Sequence, residues 1–475
     1  MRTYESRRGR RAKLLAVPLL LSVVVVAGCT GSGATTSHRA TTTRTGTVTN
    51  CLVPAPASCY TPAMFRVAYG IAPLLNSGID GSGETVTILA GNAVLLSPTV
   101  ETVPAGPSGP SVAAGPSGTS GPSGPHPLQN LVEATDIRRD LAAFDSEFRL
   151  PAVRISVVNS LAHAASPWQA ASAAVQDVEI VHAVAPAATL RVVLLPATVA
   201  DSPANATADM LAGLRLAVSG TDVAAVDWSL GEHFFTKAQA AQLNSILLGA
   251  EAHHVTVVAP AGDNAGFSDT LFGGTPVAEV SLPASDPLVL AVGGTTLTVN
   301  PVTGAYMSET AWNNEGGFSE SNGGTGGGFS HLYARPAYQD GVRGISAKRG
   351  VPDVAADAAQ QDNIATVLSD GGNAAIIPAA GTAAAALLWA GLIALADQDA
   401  HHDLGFVNPA IYAIGRGPSY HSAFHDVTTG SNIQTMPYPA GTAGYPARPG
   451  WDPVTGWGSP NAQVLVPLLA REAGQ

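Results

Sequence analysis

The chain has 475 residues, 46% hydrophobic and 12% charged, with 35 acidic against 23 basic side chains and a net charge of −12. That composition can fill one large domain or several. The acidic balance argues against nucleic acid as a partner and against electrostatic attachment to anionic lipid, since both need a basic face.

Taken in chain order, the first element is an export signal. Arg2, Arg7, Arg8, Arg10, Arg11 and Lys13 form a basic n-region, and an uncharged apolar run follows from Leu14 to Ala27. The run is short for a membrane span and ends in small residues, so residues 1–28 are expected to be a cleaved signal peptide. Its end, Val26-Ala27-Gly28-Cys29, resembles the lipobox of bacterial lipoproteins. The resemblance implies that the Cys29 thiol is acylated and becomes the mature N-terminus. The protein is then held by lipid alone on the outer face of the cytoplasmic membrane. Cleavage leaves 17 Lys+Arg (23 less six) against 34 Asp+Glu (35 less one), a net charge of −17. With Cys29 so used, Cys51 and Cys59 remain as a close pair in an oxidising compartment, where a disulfide persists.

Residues 29–50 are rich in Thr, Ser and Gly and are expected to be a flexible tether. The rest, 51–475, is expected to be one domain interrupted by a disordered insertion at 103–127. There three irregularly spaced Gly-Pro-Ser-Gly copies exclude collagen. Strands are expected at Thr85–Leu89, Val153–Val158, Leu190–Leu194, Val223–Trp228, Val255–Ala259 and Leu288–Val292. Helices are expected at Leu131–Phe148, Trp168–Val184, Ala208–Val218, Lys237–Ala250 and Thr382–Ala396. Such alternation predicts an α/β fold, a mostly parallel sheet with helices on both faces in a single large domain. Ala379–Ala396 carries no charge and is long enough to span a membrane, but Ala and Gly dominate it, which predicts a close-packed core helix.

The segment Gly381-Thr382-Ala383-Ala384-Ala385-Ala386-Leu387-Leu388-Trp389-Ala390-Gly391 resembles the nucleophile motif of the sedolisins, G-T-S-A-x-x-P-x-[WF]-A-G. These serine-carboxyl peptidases have a subtilisin-like fold. Further segments are similar in the family's order: Tyr60–Ile71, Val280–Ser285 leading to Val292-Gly293-Gly294-Thr295-Thr296, Gly326–Ser330, Arg335–Gln339 and Arg349–Val354. Together they cover roughly residues 51–470. The resemblance implies a Ser-Glu-Asp mechanism, in which a glutamate takes the serine proton and an aspartate four residues on supports it. Here Asp177 stands at the supporting position, but Ala173 stands at the base and Ala383 at the nucleophile. Glu179 is about 200° around the helix from Asp177 and cannot replace the base. Asp263, in Ala261-Gly262-Asp263-Asn264, matches the acid that donates to the oxyanion while protonated. Without a nucleophile, capping a turn beside Gly262 is the favoured role. Thr382 is β-branched and displaced by one residue, a poor substitute nucleophile. Lone histidines such as His163 and His182 more often pack than catalyse. The family's large N-terminal prodomain is not expected between Cys29 and the domain start.

The resemblance also implies a calcium site, with the side chains of Asp426 and Asp452 and the carbonyls of Val427, Arg448 and Gly450, where Arg448 replaces a usual glycine. Such an all-oxygen set suits this hard cation. The Gly323–Gly328 run lacks a following Lys-Ser/Thr and a preceding strand, so it is not a phosphate loop. Trp228–Glu232 resembles a segment lining the family's substrate groove. The expected protein is therefore an exported pseudopeptidase lipoprotein that binds a peptide or an envelope protein. The alternatives are an active acid endopeptidase with unusual catalytic residues and a structural envelope lipoprotein.

Overall fold

The computed structural model describes residues 59–91, 135–159, 169–170, 172–196, 202–268, 275–314, 323–359, 363–370, 373–436 and 441–473. The expected signal peptide, Cys29, the tether, Cys51, the 103–127 insertion and His163 lie outside them. Cys59 is buried and disulfide-bonded.

The central sheet is built from β1 (Thr85–Ala90), β2 (Ile155–Asn159), β3 (Thr189–Leu194), β4 (Val223–Val226), β5 (Thr256–Pro260), β6 (Leu290–Val299), β7 (Tyr306–Ala311) and β8 (Val354–Asp357). Its order is β7-β6-β5-β4-β1-β3-β2, with β8 also pairing β6. Only the β6–β7 pairing is antiparallel; the other six run parallel. Strands such as β4 and β5 are buried at every residue, as a sheet covered on both faces requires.

Six helices matter for the site: α1 (Ile137–Phe148), α2 (Ser172–Val184), α3 (Pro203–Ala217), α4 (Lys237–Ala252), α5 (Gly381–Ala400) and α6 (Ala462–Glu472). Their starts carry local signals: Asp136 caps α1, Ser202 caps α3 ahead of Pro203, and Thr236 with Gln239 forms a capping box on α4. Helices α1, α2, α5 and α6 share the larger core on one face, and α3 and α4 share the smaller core on the other.

Helix α5 is long and apolar enough to cross a membrane by length and composition, yet 89% of its apolar window is buried inside the protein. Its alanines permit close approach. A Cβ on Gly391 would stand 2.7 Å from Val184 Cβ, so α5 and α2 meet almost backbone to backbone. Trp389, fully buried, donates from Nε1 to the Ala355 carbonyl at 2.9 Å and ties α5 to β8. Helix α2 is a crossover between the parallel strands β2 and β3, so it starts at the carboxyl edge of the sheet. Helix α5 also starts there, held by Asp263 just past β5, and ends near the amino edge. At that edge Gly405 O, in the loop after α5, accepts from Thr256 Oγ1 at the start of β5. The two helices thus bring Ala173, Asp177 and Ala383 to one end of the sheet, the carboxyl edge where α/β proteins place their sites.

Candidate active site

Past Pro260 the chain leaves β5 and turns through residues 261–266. Asp263 in this turn is exposed as a residue, but its carboxyl points inward at the start of α5. Its Oδ1 accepts both the backbone N–H and the hydroxyl of Thr382, each at 2.7 Å. Ala380, at the helix N-cap, offers no side-chain acceptor, so Asp263 caps α5 from another segment. Protein crowding pushes the Asp263 carboxyl above the usual range, and the two Thr382 donors pull the other way. Thr382 Oγ1 also accepts the Gly262 N–H at 3.1 Å. That hydroxyl is thus held as donor and acceptor and is not placed to attack a carbonyl. The next residue, Ala383, is half-buried in the first turn and presents only a methyl.

The Gly-rich run buttresses this turn. Gly324 N–H donates to Asp263 O at 2.9 Å and Gly326 N–H to Gly262 O at 2.6 Å. A Cβ on Gly326 would lie 2.0 Å from Ala261 O, so only glycine allows that approach. The Oγ atoms of Ser229 and Ser281 flank the same turn, 3.6 and 3.2 Å from where a Gly262 Cβ would sit.

On α2, Ala173 and Asp177 lie one turn apart on the same face, Ala173 exposed and Asp177 buried. Asp177 interacts with Asp227, the residue after β4. Neighbouring buried carboxyls disfavour both being ionised. Burial, then the Asp227 charge, pushes Asp177 well above the usual carboxylate range. Asp227 is pushed up to about 6 by burial, offset by its interaction with Asp177 and by the Gly91 N–H, which donates to it at 3.1 and 3.0 Å. Sequence reasoning missed Asp227 by placing it inside the strand Val223–Trp228. The available signal was an acid directly after a buried parallel strand.

Glu179 turns the other way, as its helical position requires. It is fully buried and its Oε2 accepts the Val367 N–H at 2.7 Å. His182 is buried with Nε2 2.9 Å from Asp145 Oδ1. Neither joins the site.

In the segment expected to line a groove, Leu230–Gly231 pairs antiparallel with Ser281–Leu282. Glu232 is buried and accepts from the Ser330 hydroxyl at 2.5 Å and the His331 N–H at 2.7 Å. It joins this segment to the strand that follows the Gly-rich run. Trp228 and Ser229 stay half-exposed beside the Asp263 turn.

The C-terminal acids converge on one loop. Asp426 accepts from Gly450 N–H through both oxygens at 3.1 Å. Asp452 accepts from the N–H groups of Arg448 at 2.7 Å, Val454 at 2.8 Å and Thr455 at 2.9 Å. Thr455 Oγ1 reaches the Val427 carbonyl at 3.4 Å. Asp452 is buried, which pushes its pKa to about 6. Among the described residues neither acid has a cationic side-chain partner. Two anionic carboxylates and carbonyls on converging loops fit a calcium ion in kind.

Comparison with known proteins finds the same arrangement of segments elsewhere, although no family model matches the chain. Kumamolisin of Bacillus sp. (strain MN-32) is 33% identical over 313 residues, 63% of this chain and 51% of that protein. Sedolisin of Pseudomonas sp. (strain 101) is 41% identical over 184 residues, 38% of this chain and 28% of that protein. The chain thus spans about half, or less, of the length of these curated relatives. A solved structure of Pseudomonas sedolisin, complexed with two molecules of pseudo-iodotyrostatin, superposes with a TM-score of 0.63 at 25% identity. That superposition covers 87% of this chain and 98% of that one. With its mostly parallel sheet the chain has the subtilisin-like fold of sedolisin, and these relatives support its kinship with the sedolisin family.

Proposed function

We propose that this protein is a pseudopeptidase, lipid-anchored through Cys29 outside the cytoplasmic membrane, that binds extended peptide or an envelope protein without cutting it. The observation that carries this reading is the state of the hydroxyl nearest the helix start. Thr382 Oγ1 is engaged by Asp263 and Gly262, while the positions that match nucleophile and base, Ala383 and Ala173, carry methyls. Acyl transfer needs an oxygen to carry the acyl group and a base to take its proton. The acids Asp177 and Asp263 remain, with the segment Trp228–Glu232 beside them, so recognition is retained where chemistry is not. In the same reading calcium is held by Asp426, Asp452 and the carbonyls of Val427, Arg448 and Gly450, and it pins the C-terminal loops.

The test is thermal unfolding of the purified protein with a diverse peptide library. A binding peptide at a hundredfold excess over its Kd stabilises the folded state by about 2.7 kcal/mol, and the melting temperature rises accordingly. No shift with any peptide class would remove the peptide-binding reading and leave the envelope-structural one.

A further inference from the structure

The antiparallel pairing of Leu230–Gly231 with Ser281–Leu282 carries an acid beside each strand, Glu232 on one and Glu279 on the other. His331 comes from a third segment, the strand Gly328–Ala334. One ligand atom from each, an imidazole nitrogen and two carboxylate oxygens, lies within 4.8 Å of the other two. Both carboxylates are more than nine-tenths buried, Glu232 being 2% and Glu279 7% exposed, whereas His331 reaches solvent. Among the described residues neither acid is paired with a lysine or arginine, and the His331 imidazole is in no ion pair.

The surroundings hold these groups in place. Glu232 accepts from the Ser330 hydroxyl at 2.5 Å and the His331 N–H at 2.7 Å. Lys348 Nζ donates to the His331 carbonyl at 2.8 Å, so the backbone that bears the imidazole is fixed on both sides. His233 meets Glu279 Oε1 through Nδ1. Gly231 leaves the space for that contact: a Cβ there would collide with Glu279 Oε1 and stand 3.0 Å from His233 Nδ1.

Two buried carboxylates side by side repel unless something positive lies between them. The imidazole that converges on them decides the kind of ion, because calcium and magnesium take oxygen ligands while a mixed nitrogen and oxygen set suits zinc. We propose that Glu232, Glu279 and His331 form a zinc site on the wall of the candidate groove, with His233 orienting Glu279 from outside the ligand set. Zinc sits about 2.0–2.2 Å from each such ligand, so one ion bridges atoms this close with little movement. Three protein ligands leave a fourth position, on the side of the exposed His331, for water or another ligand oxygen. The ion braces Trp228–Glu232 against the strand that follows the Gly-rich run, and it is separate from the calcium set at Asp426 and Asp452.

The test is zinc per chain, measured by atomic emission on the full-length protein after dialysis at neutral pH with calcium in excess. Competition with a chromophoric chelator gives the affinity. The natural protein is expected to retain one zinc per chain. Outer partners of a bound metal are worth about 10–100-fold in affinity, so His331→Ala and Glu279→Gln, which each remove a direct ligand, should weaken binding at least tenfold. His331 is exposed, so its loss leaves the fold intact, and Glu279→Gln keeps the buried volume. His421→Ala removes an exposed imidazole elsewhere and should bind zinc as the natural protein does. The proposal is overturned if the natural protein retains no zinc, if either ligand substitution weakens binding less than tenfold, or if His421→Ala weakens it as much.

Discussion

Restoring Ala383→Ser and Ala173→Glu together is expected to turn a silent protein into one that cuts peptides at acidic pH. The supporting parts are in place. Asp177 lies one turn along the helix face from Ala173, and burial beside Asp227 already raises its pKa. Asp263 is fixed at the first turn of α5 by Thr382. Ala383 is half-buried and Ala173 exposed, so both larger side chains have room to be accepted. Neither substitution alone should restore cleavage, because residues that act as a unit are not additive and a single missing partner removes several orders of magnitude of rate. Product analysis by mass spectrometry of a peptide library separates the outcomes. Cleavage by the double variant alone means that only chemistry was lost. Silence from a folded double variant would mean that the helix starts no longer meet as a catalytic site.

The largest stability effect is expected beneath the sheet, at a pair that resembles part of the family's Arg-Gly-Val-Pro-Asp segment. Arg349 and Asp353 are fully buried and joined by two bonds of 2.6 Å. Asp353 also accepts from Tyr412 Oη at 2.8 Å and Ala291 N–H at 2.9 Å. Removing one member strands the other charge in the core. Asp353→Ala is therefore expected to cost about 3–5 kcal/mol, measured as the shift in denaturant unfolding. Replacing both partners with apolar residues, Arg349→Met with Asp353→Leu, should cost less than Asp353→Ala alone, because no charge is left unpaired. A loss below about 1 kcal/mol for Asp353→Ala would mean that water reaches Arg349 and that this core is not closed.

Much of the fold was legible because parallel strands covered on both faces read as continuous β-branched runs. Thr85–Ala90, Thr189–Leu194 and Thr256–Pro260 fall within a residue or so of their expected bounds. Strand β6 runs on to Val299 because its far half pairs with β7 at the sheet edge, where burial alternates and no apolar run marks it. Val354–Asp357 is too short to stand out, and the helix Ala462–Glu472 contains Pro467, which reads as a breaker. The start of α5 was legible through its motif, and Glu179 pointed away from the site as helical geometry required. Asp227 was not read, because its meaning comes from Asp177 across the sheet edge. The convergence of Glu232, Glu279 and His331 was invisible for the same reason. They come from three separate segments and share no local spacing, so only the closure of the fold brings them together.

The most direct test of the central reading is exposure of the purified natural protein to a peptide library from acidic to neutral pH, with products read by mass spectrometry. No cleavage above a protease-free control is the result expected of a site whose nucleophile and base are methyls. Cleavage that persists through purification and disappears with Asp177→Ala would contradict it, and would mean that another group at the Asp263 turn supplies the nucleophile.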